Sequence, residues 1–198
     1  PPFVGFLSGK TVTQISAGGY ATCARTSDGG LGCWGMNQNG QLGVASVGTC
    51  GGDACSLVPL AVVGGPLPGS GVLAGQTIAQ VSLGYWWTCA ITSAGAGTCW
   101  GDNAAGGIGD GTMINRPLPV FVATPPGGAL AGKTLTQIST GVRSVCARAS
   151  DGTLACWGHN NLGQLGVPAS EVCFGQSCST VPLSLTGVPG SGVVSGSH

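Results

Sequence analysis

Thr22-Cys23-Ala24-Arg25-Thr26-Ser27-Asp28-Gly29-Gly30-Leu31-Gly32-Cys33-Trp34-Gly35 decides the fold, because the phrase returns twice. The second copy is Thr88-Cys89-Ala90-Ile91-Thr92-Ser93-Ala94-Gly95-Ala96-Gly97-Thr98-Cys99-Trp100-Gly101. The third is Val145-Cys146-Ala147-Arg148-Ala149-Ser150-Asp151-Gly152-Thr153-Leu154-Ala155-Cys156-Trp157-Gly158. Each holds two cysteines ten positions apart around a central Ser-x-Gly. That pattern predicts a β-hairpin. Ser27 and Asp28 suit a type I turn, and Gly29 supplies the positive φ that closes a three-residue loop with a bulge. Counting outward from the turns sets Cys23 opposite Cys33, Cys89 opposite Cys99 and Cys146 opposite Cys156. Directly opposed residues have Cα atoms about 4.5–5.5 Å apart, within reach of a disulfide.

The flanks repeat as well. Thr11 to Gly18 alternates as a strand does, and its phrase recurs over 72–84 and 129–141. After each hairpin comes a glycine-rich corner: Asn37 to Gly43, Asn103 to Gly109, and Asn160 to Gly166. A proline-marked fourth strand follows, over 58–63, 117–122 and 181–186. Proline has no N–H for a ladder, which places these strands at a sheet edge. Units one and three carry an extra loop with its own cysteine pair, Cys50/Cys55 and Cys173/Cys178. No stretch has the 3.6-residue period of an amphipathic helix. The expected class is all-β: three propeller-type blades of four antiparallel strands, open rather than closed, with a disulfide in each hairpin. The expected units are 1–66, 67–126 and 127–190, with 191–198 as the start of a fourth repeat or a tail.

Composition narrows the function. Charged residues are 6% of the 198, against about 25% in an average protein, and the formal net charge is zero. Such a surface offers no electrostatic footprint for nucleic acid or an acidic membrane. It fits either a secreted protein solvated by Ser, Thr, Asn and Gln, or a surface buried by copies of itself. No apolar run reaches the roughly 18 residues of a transmembrane helix, so no membrane insertion is expected.

All ten cysteines fall into five local pairs. Zinc is the rival reading, but its sites favour Cys-x(2–4)-Cys doublets, and only the Cys50 and Cys173 pairs come near that spacing. Five disulfides imply an oxidising compartment and an extracellular or cell-surface protein. A chain starting at Pro1 fits a mature, processed product.

Titratable groups are few, and none is set for catalysis. Asp28 and Asp151 belong to turns, and His159 occupies the slot of Met36 and Asp102 in the other units. Asp110-Gly111-Thr112 supplies one carboxylate, short of the 6–8 ligands of a Ca²⁺ site. No nucleophile elbow or phosphate loop is present. No enzyme, cofactor or metal is expected.

Together, the Ser-Asp-Gly turn, the Cys-Trp-Gly strand end and the Asn-x-x-Gly-Gln-Leu-Gly corner resemble the regulator of chromosome condensation repeat family over nearly the whole chain. The resemblance implies propeller blades in which Trp34, Trp100 and Trp157 are the recurring structural tryptophan. Unit two departs, with Ala94 for the turn aspartate and Gly107-Ile108 for Gln-Leu. Functions in the family range from nucleotide exchange on chromatin, through ultraviolet-B perception by a tryptophan cluster, to secreted inhibitors that grip an enzyme with one propeller face. Sparse charge disfavours the first. The second uses Gly-Trp-Arg-His-Thr, where this chain has Gly84-Tyr85-Trp86-Trp87-Thr88 without arginine or histidine.

Three blades cannot meet around an axis, since closed propellers use about 4–8. Gly192-Val193-Val194-Ser195-Gly196 also echoes Gly71-Val72-Leu73-Ala74-Gly75 and Gly5-Phe6-Leu7-Ser8-Gly9. The leading expectation is an extracellular structural protein that joins copies of itself head to tail. The alternatives are a binding or inhibitory module that recognises a partner protein, or a fragment of a propeller with six or seven blades. Candidate assembly or contact residues are Phe6, Leu7, Tyr85, Trp86, Trp87, Val193 and Val194.

Overall fold

The computed structural model describes residues 5–44, 47–62, 72–73 and 75–185. Val193, Val194 and the 191–198 segment lie outside them, so the expectations placed there have no structural counterpart. Each hairpin phrase forms the two central strands of one sheet. In the first sheet these are β2 (Ala21–Thr26) and β3 (Leu31–Met36), preceded by β1 (Val12–Ala17). Cys23 faces Cys33 as counted, and Gly29 turns the chain at φ 79°. Asp28 fixes this turn from both sides: its carboxylate accepts from the Gly30 N–H at 3.2 Å and pairs with Lys10 Nζ at 2.6 Å. Lys133 and Asp151 repeat the clip in the third unit. Unit two has Gln76 and Ala94 instead, losing both partners together.

The second sheet runs β6 (Ile78–Leu83), β7 (Trp87–Thr92), β8 (Gly97–Gly101) and β9 (Arg116–Phe121) in simple order. The third begins β10 (Leu135–Thr140), β11 (Ser144–Ala149) and β12 (Leu154–His159). Three disulfides staple the hairpins, each with Cα atoms 4.1 Å apart: Cys23–Cys33, Cys89–Cys99 and Cys146–Cys156. Among the described residues there is no helix.

The extra loops of units one and three are hairpins, so these two sheets have five strands where four were expected. In the first, β4 (Gly48–Cys50) turns into β5 (Asp53–Ala61); in the third, β13 (Glu171–Cys173) turns into β14 (Gln176–Ser184). Cys50–Cys55 and Cys173–Cys178 close them. β4 pairs only with residues 53–55 and β13 only with 176–178. Pro59 and Pro182 stand beyond those pairings, where a missing N–H breaks no ladder bond, and the Pro59 carbonyl accepts from the Phe6 N–H at 2.8 Å.

The sheets stack side by side, and the core lies between them. One apolar cluster, including Leu42, Leu73, Val81 and Trp100, fills the first gap. The other, including Ile108, Leu130, Ile138 and Trp157, fills the second. Burial of this kind stabilises by about 25 cal/mol per Å² of apolar surface, so each blade depends on its neighbour for its core.

Candidate functional site

The joint between blades follows a rule written once per unit. Each first strand shifts register by a bulge just before a glutamine: between Val12 and Gln14, Ile78 and Gln80, and Leu135 and Gln137. Bulges re-aim side chains. Gln14 donates to the Val81 carbonyl at 2.9 Å and accepts from the Val81 N–H at 3.1 Å. Gln80 treats Ile138 the same way. On the other side of the sheet, the indole of the following blade donates back to the corner: Trp100 Nε1 to the Gln41 carbonyl and Trp157 Nε1 to the Gly107 carbonyl, both at 3.0 Å. The turn glycine completes the joint. Gly29 O accepts from the Ile78 N–H and Gly95 O from the Leu135 N–H.

At the two outer faces the same rule is left half written. Ile15 is 66% exposed, while its counterparts Val81 and Ile138 are 1% exposed. Val12 is exposed where Ile78 and Leu135 are buried, and Trp34 is half-buried where Trp100 and Trp157 are fully enclosed. On the far face Gln137, Arg148 and Gln164 are exposed. A Cβ on Gly29 or Gly95 would strike Thr77 at 2.5 Å or Thr134 at 2.3 Å; on Gly152 it would meet nothing within 4 Å. The first blade therefore presents a receiving face and the third a reaching face.

A second surface lies at one end of the blades, on the loops between first and second strands. Tyr20, Tyr85 and Trp86 form a ring cluster there. Trp86 meets Tyr85 edge-on at 4.8 Å and Tyr20 at 5.2 Å, and the Tyr85 hydroxyl donates to that of Tyr20 at 3.1 Å. Beside it, between the second and third blades, opens a cleft of about 540 Å³. Trp86, Trp87 and Asp102 form one wall, with Arg143, His159 and Phe174 opposite. Burial pushes the Asp102 carboxyl above its ordinary value, against hydrogen bonds from Ala104 and Asn115 and the charge of Arg143. Two buried nitrogens here have no hydrogen-bond partner, Trp87 Nε1 and His159 Nδ1.

Of the expected contact residues, Tyr85 and Trp86 meet at this end face, whereas Trp87 is 2% exposed and belongs to the core between the second and third blades. Phe6 is half-buried, its ring packed on Gly30 and Gly32 with Lys10 Nζ 4.5 Å from its centre. Leu7 is half-buried at the receiving side, where its counterparts Leu73 and Leu130 are enclosed. His159 was readable only as a variable position, and Tyr20, Arg143 and Phe174 carried no local motif. The three glutamines did carry a signal, recurring at one position of every unit. Asp110 is occupied as well. Burial alone would raise its pKa, but Thr112 and Arg116, the latter at 2.6 Å, hold the carboxyl below its usual value. Among the described residues no cluster of three or more His, Cys, Asp or Glu is placed to hold a metal ion.

A family model described as "Regulator of chromosome condensation (RCC1) repeat" matches residues 12–41 and 135–164. The chain is similar to the mitochondrial RCC1 domain-containing protein RUG3 of Arabidopsis thaliana, 32% identical over 79% of this chain and 31% of that protein. It is also similar to the ultraviolet-B receptor UVR8 of the same plant, 30% identical over 84% of this chain and 34% of the receptor. Among solved structures, human WBSCR16 superposes with a TM-score of 0.70 at 24% identity, over 92% of this chain and 42% of that one. Yeast RCC1 (Prp20), crystallised with Kap60, superposes at 0.64 and 18% identity, over 96% of this chain and 39% of that one. These likenesses show the propeller fold. The chain spans about a third of the length of the curated relatives it matches.

Proposed function

Because the chain is built from repeats of the regulator of chromosome condensation family, we propose that it is a non-enzymatic propeller section that joins like blades through its two open faces. Copies meet head to tail, the third blade of one against the first blade of the next, in an extracellular filament, sheath or ring. Ile15 carries this reading: an apolar side chain 66% exposed at a position that is 1% exposed wherever a blade precedes it. Gln137, bulged outward as Gln14 and Gln80 are, supplies the amide for the Ile15 backbone. A contact between unlike faces repeats until it closes a ring or runs on as a fibre. Five disulfides support an oxidising compartment for that assembly.

Light scattering of the non-reduced protein across a concentration series tests the joint. Association is expected, and Ile15→Asp on one face or Gln137→Ala on the other should each weaken it. A monomer at every concentration would overturn joining of copies. A second reading, in which further blades of the same polypeptide cover the faces, is favoured by the one-third share of the relatives that this chain spans. Under it the isolated section stays monomeric and a longer natural chain is monomeric too.

A further inference from the structure

The end-face cleft uses neither open face and stands apart from blade joining. Its width comes from an asymmetry between units. Unit two lacks the extra hairpin, and unit three has it, with Phe174 at the tip. Phe174 is the one non-glycine among the described residues with positive φ, at 49°, and the residue is 78% exposed. The same turn in unit one uses Gly51 and Gly52, which take that backbone without strain. An aromatic ring held in a strained conformation at the lip of a cleft marks a contact point rather than a packing residue.

We infer that this cleft binds a neutral saccharide. Tyr85, Trp86 and Phe174 offer ring surface at its walls, the apolar partner for the C–H face of a sugar ring. Trp87 lines the cleft, and its unpartnered N–H can only donate, so a ligand that reaches it carries an acceptor. An ionised Asp102, already held by Ala104 and Asn115, has acceptor capacity left for a donor on the ligand, and His159 Nδ1 can serve either way. Hydroxyl groups answer all three demands. One carboxylate and one guanidinium balance across the cleft, which favours an uncharged ligand over an anion or a cation. At about 540 Å³ the space is within the range of small-molecule sites and suits one or two sugar rings.

Nuclear magnetic resonance on the oxidised, ¹⁵N-labelled protein tests the site, with cellobiose, N,N′-diacetylchitobiose and maltose as probes. At least one should move the Trp87 indole N–H resonance saturably, with a dissociation constant in about the millimolar range. Phe174→Gly relieves the strained turn, so it should leave the melting temperature equal or higher while weakening binding about tenfold. Trp87→Phe keeps an aromatic ring and removes the donor, and should weaken binding similarly, followed in this variant on the backbone amides of Arg143 and Phe174. If none of the three sugars moves the Trp87 signal at about 50 mM, the inference fails. It fails equally if a proline-rich peptide moves that signal and the sugars do not.

Discussion

Gln80 holds both backbone groups of Ile138, donating to the carbonyl at 3.0 Å and accepting from the N–H at 2.9 Å. One side-chain amide thus acts as a short length of β-ladder between two sheets that share no strand. Ile138 is 1% exposed, so neither of its groups has water as a substitute. An unmade hydrogen bond in a buried setting costs more than a made one contributes.

Gln80→Ala should therefore lower the unfolding free energy of the oxidised protein by about 1–3 kcal/mol, measured by denaturant titration. Gln137→Ala, which removes a solvated amide, should leave the stability of a single chain unchanged. Equal losses from both variants would show that the amide works within its own blade and not across the joint.

The tryptophans should rank by enclosure. Trp157→Ala removes a fully buried indole and its bond to the Gly107 carbonyl, an expected loss of about 3–5 kcal/mol. Trp34→Ala, at the half-buried receiving face, should cost clearly less in a monomer. The difference between the two is the energetic signature of a missing neighbour.

Turn glycines provide a steric version of the same test. Gly95→Ala drives a Cβ to 2.3 Å from Thr134 and adds left-handed backbone strain of about 1–2 kcal/mol. Gly152→Ala carries the strain, at φ 87°, without the clash. Thermal melts should show Gly95→Ala as the more damaging, and Gly152→Ala should in addition impair any association through the third blade.

Reduction should add two hydrogens for each of five bridges, read from intact mass in denaturant. Removing one hairpin bridge, as Cys89→Ala with Cys99→Ala, should cost about 2–3 kcal/mol in the chain-entropy account. An unchanged mass would mean that the ten thiols are free, and the oxidising compartment would fall with them.

Acid should act through the clips. Asp28 and Asp151 are held below their ordinary value of 3.8, chiefly by hydrogen bonds from Lys10 and Lys133 respectively. The stability that such carboxylates contribute is complete above the unfolded value and is lost as pH falls through the lower folded one. Asp102, raised by burial, runs the other way, and its penalty is relieved as pH falls. The melting temperature should hold or rise slightly down to about pH 4 and then fall, and Asp28→Asn with Asp151→Asn should flatten the fall.

Four strands of each blade, the hairpin register and the five cysteine pairs were legible from residue order, because each depends on neighbours at most a few tens of positions away, whereas the short strands β4 and β13 read as loops. Cys23 faces Cys33 for the same reason that Gly29 turns the chain: both are fixed by local geometry. The doubled set of Lys10 with Asp28 and Lys133 with Asp151, absent together in unit two, was visible in the repeats but had no meaning until the turns were folded.

What the chain order alone determined was the blade: its strands, its staple and its tryptophan. Only the packed structure decided which blade surfaces are consumed and which remain open, because that depends on Gln14 reaching Val81 across 67 positions. It also decided that Tyr20, Asp102, Arg143, His159 and Phe174 share one end face. A repeat specifies its own hydrogen bonds within its sheet, whereas a cleft exists only where two unlike repeats are set side by side.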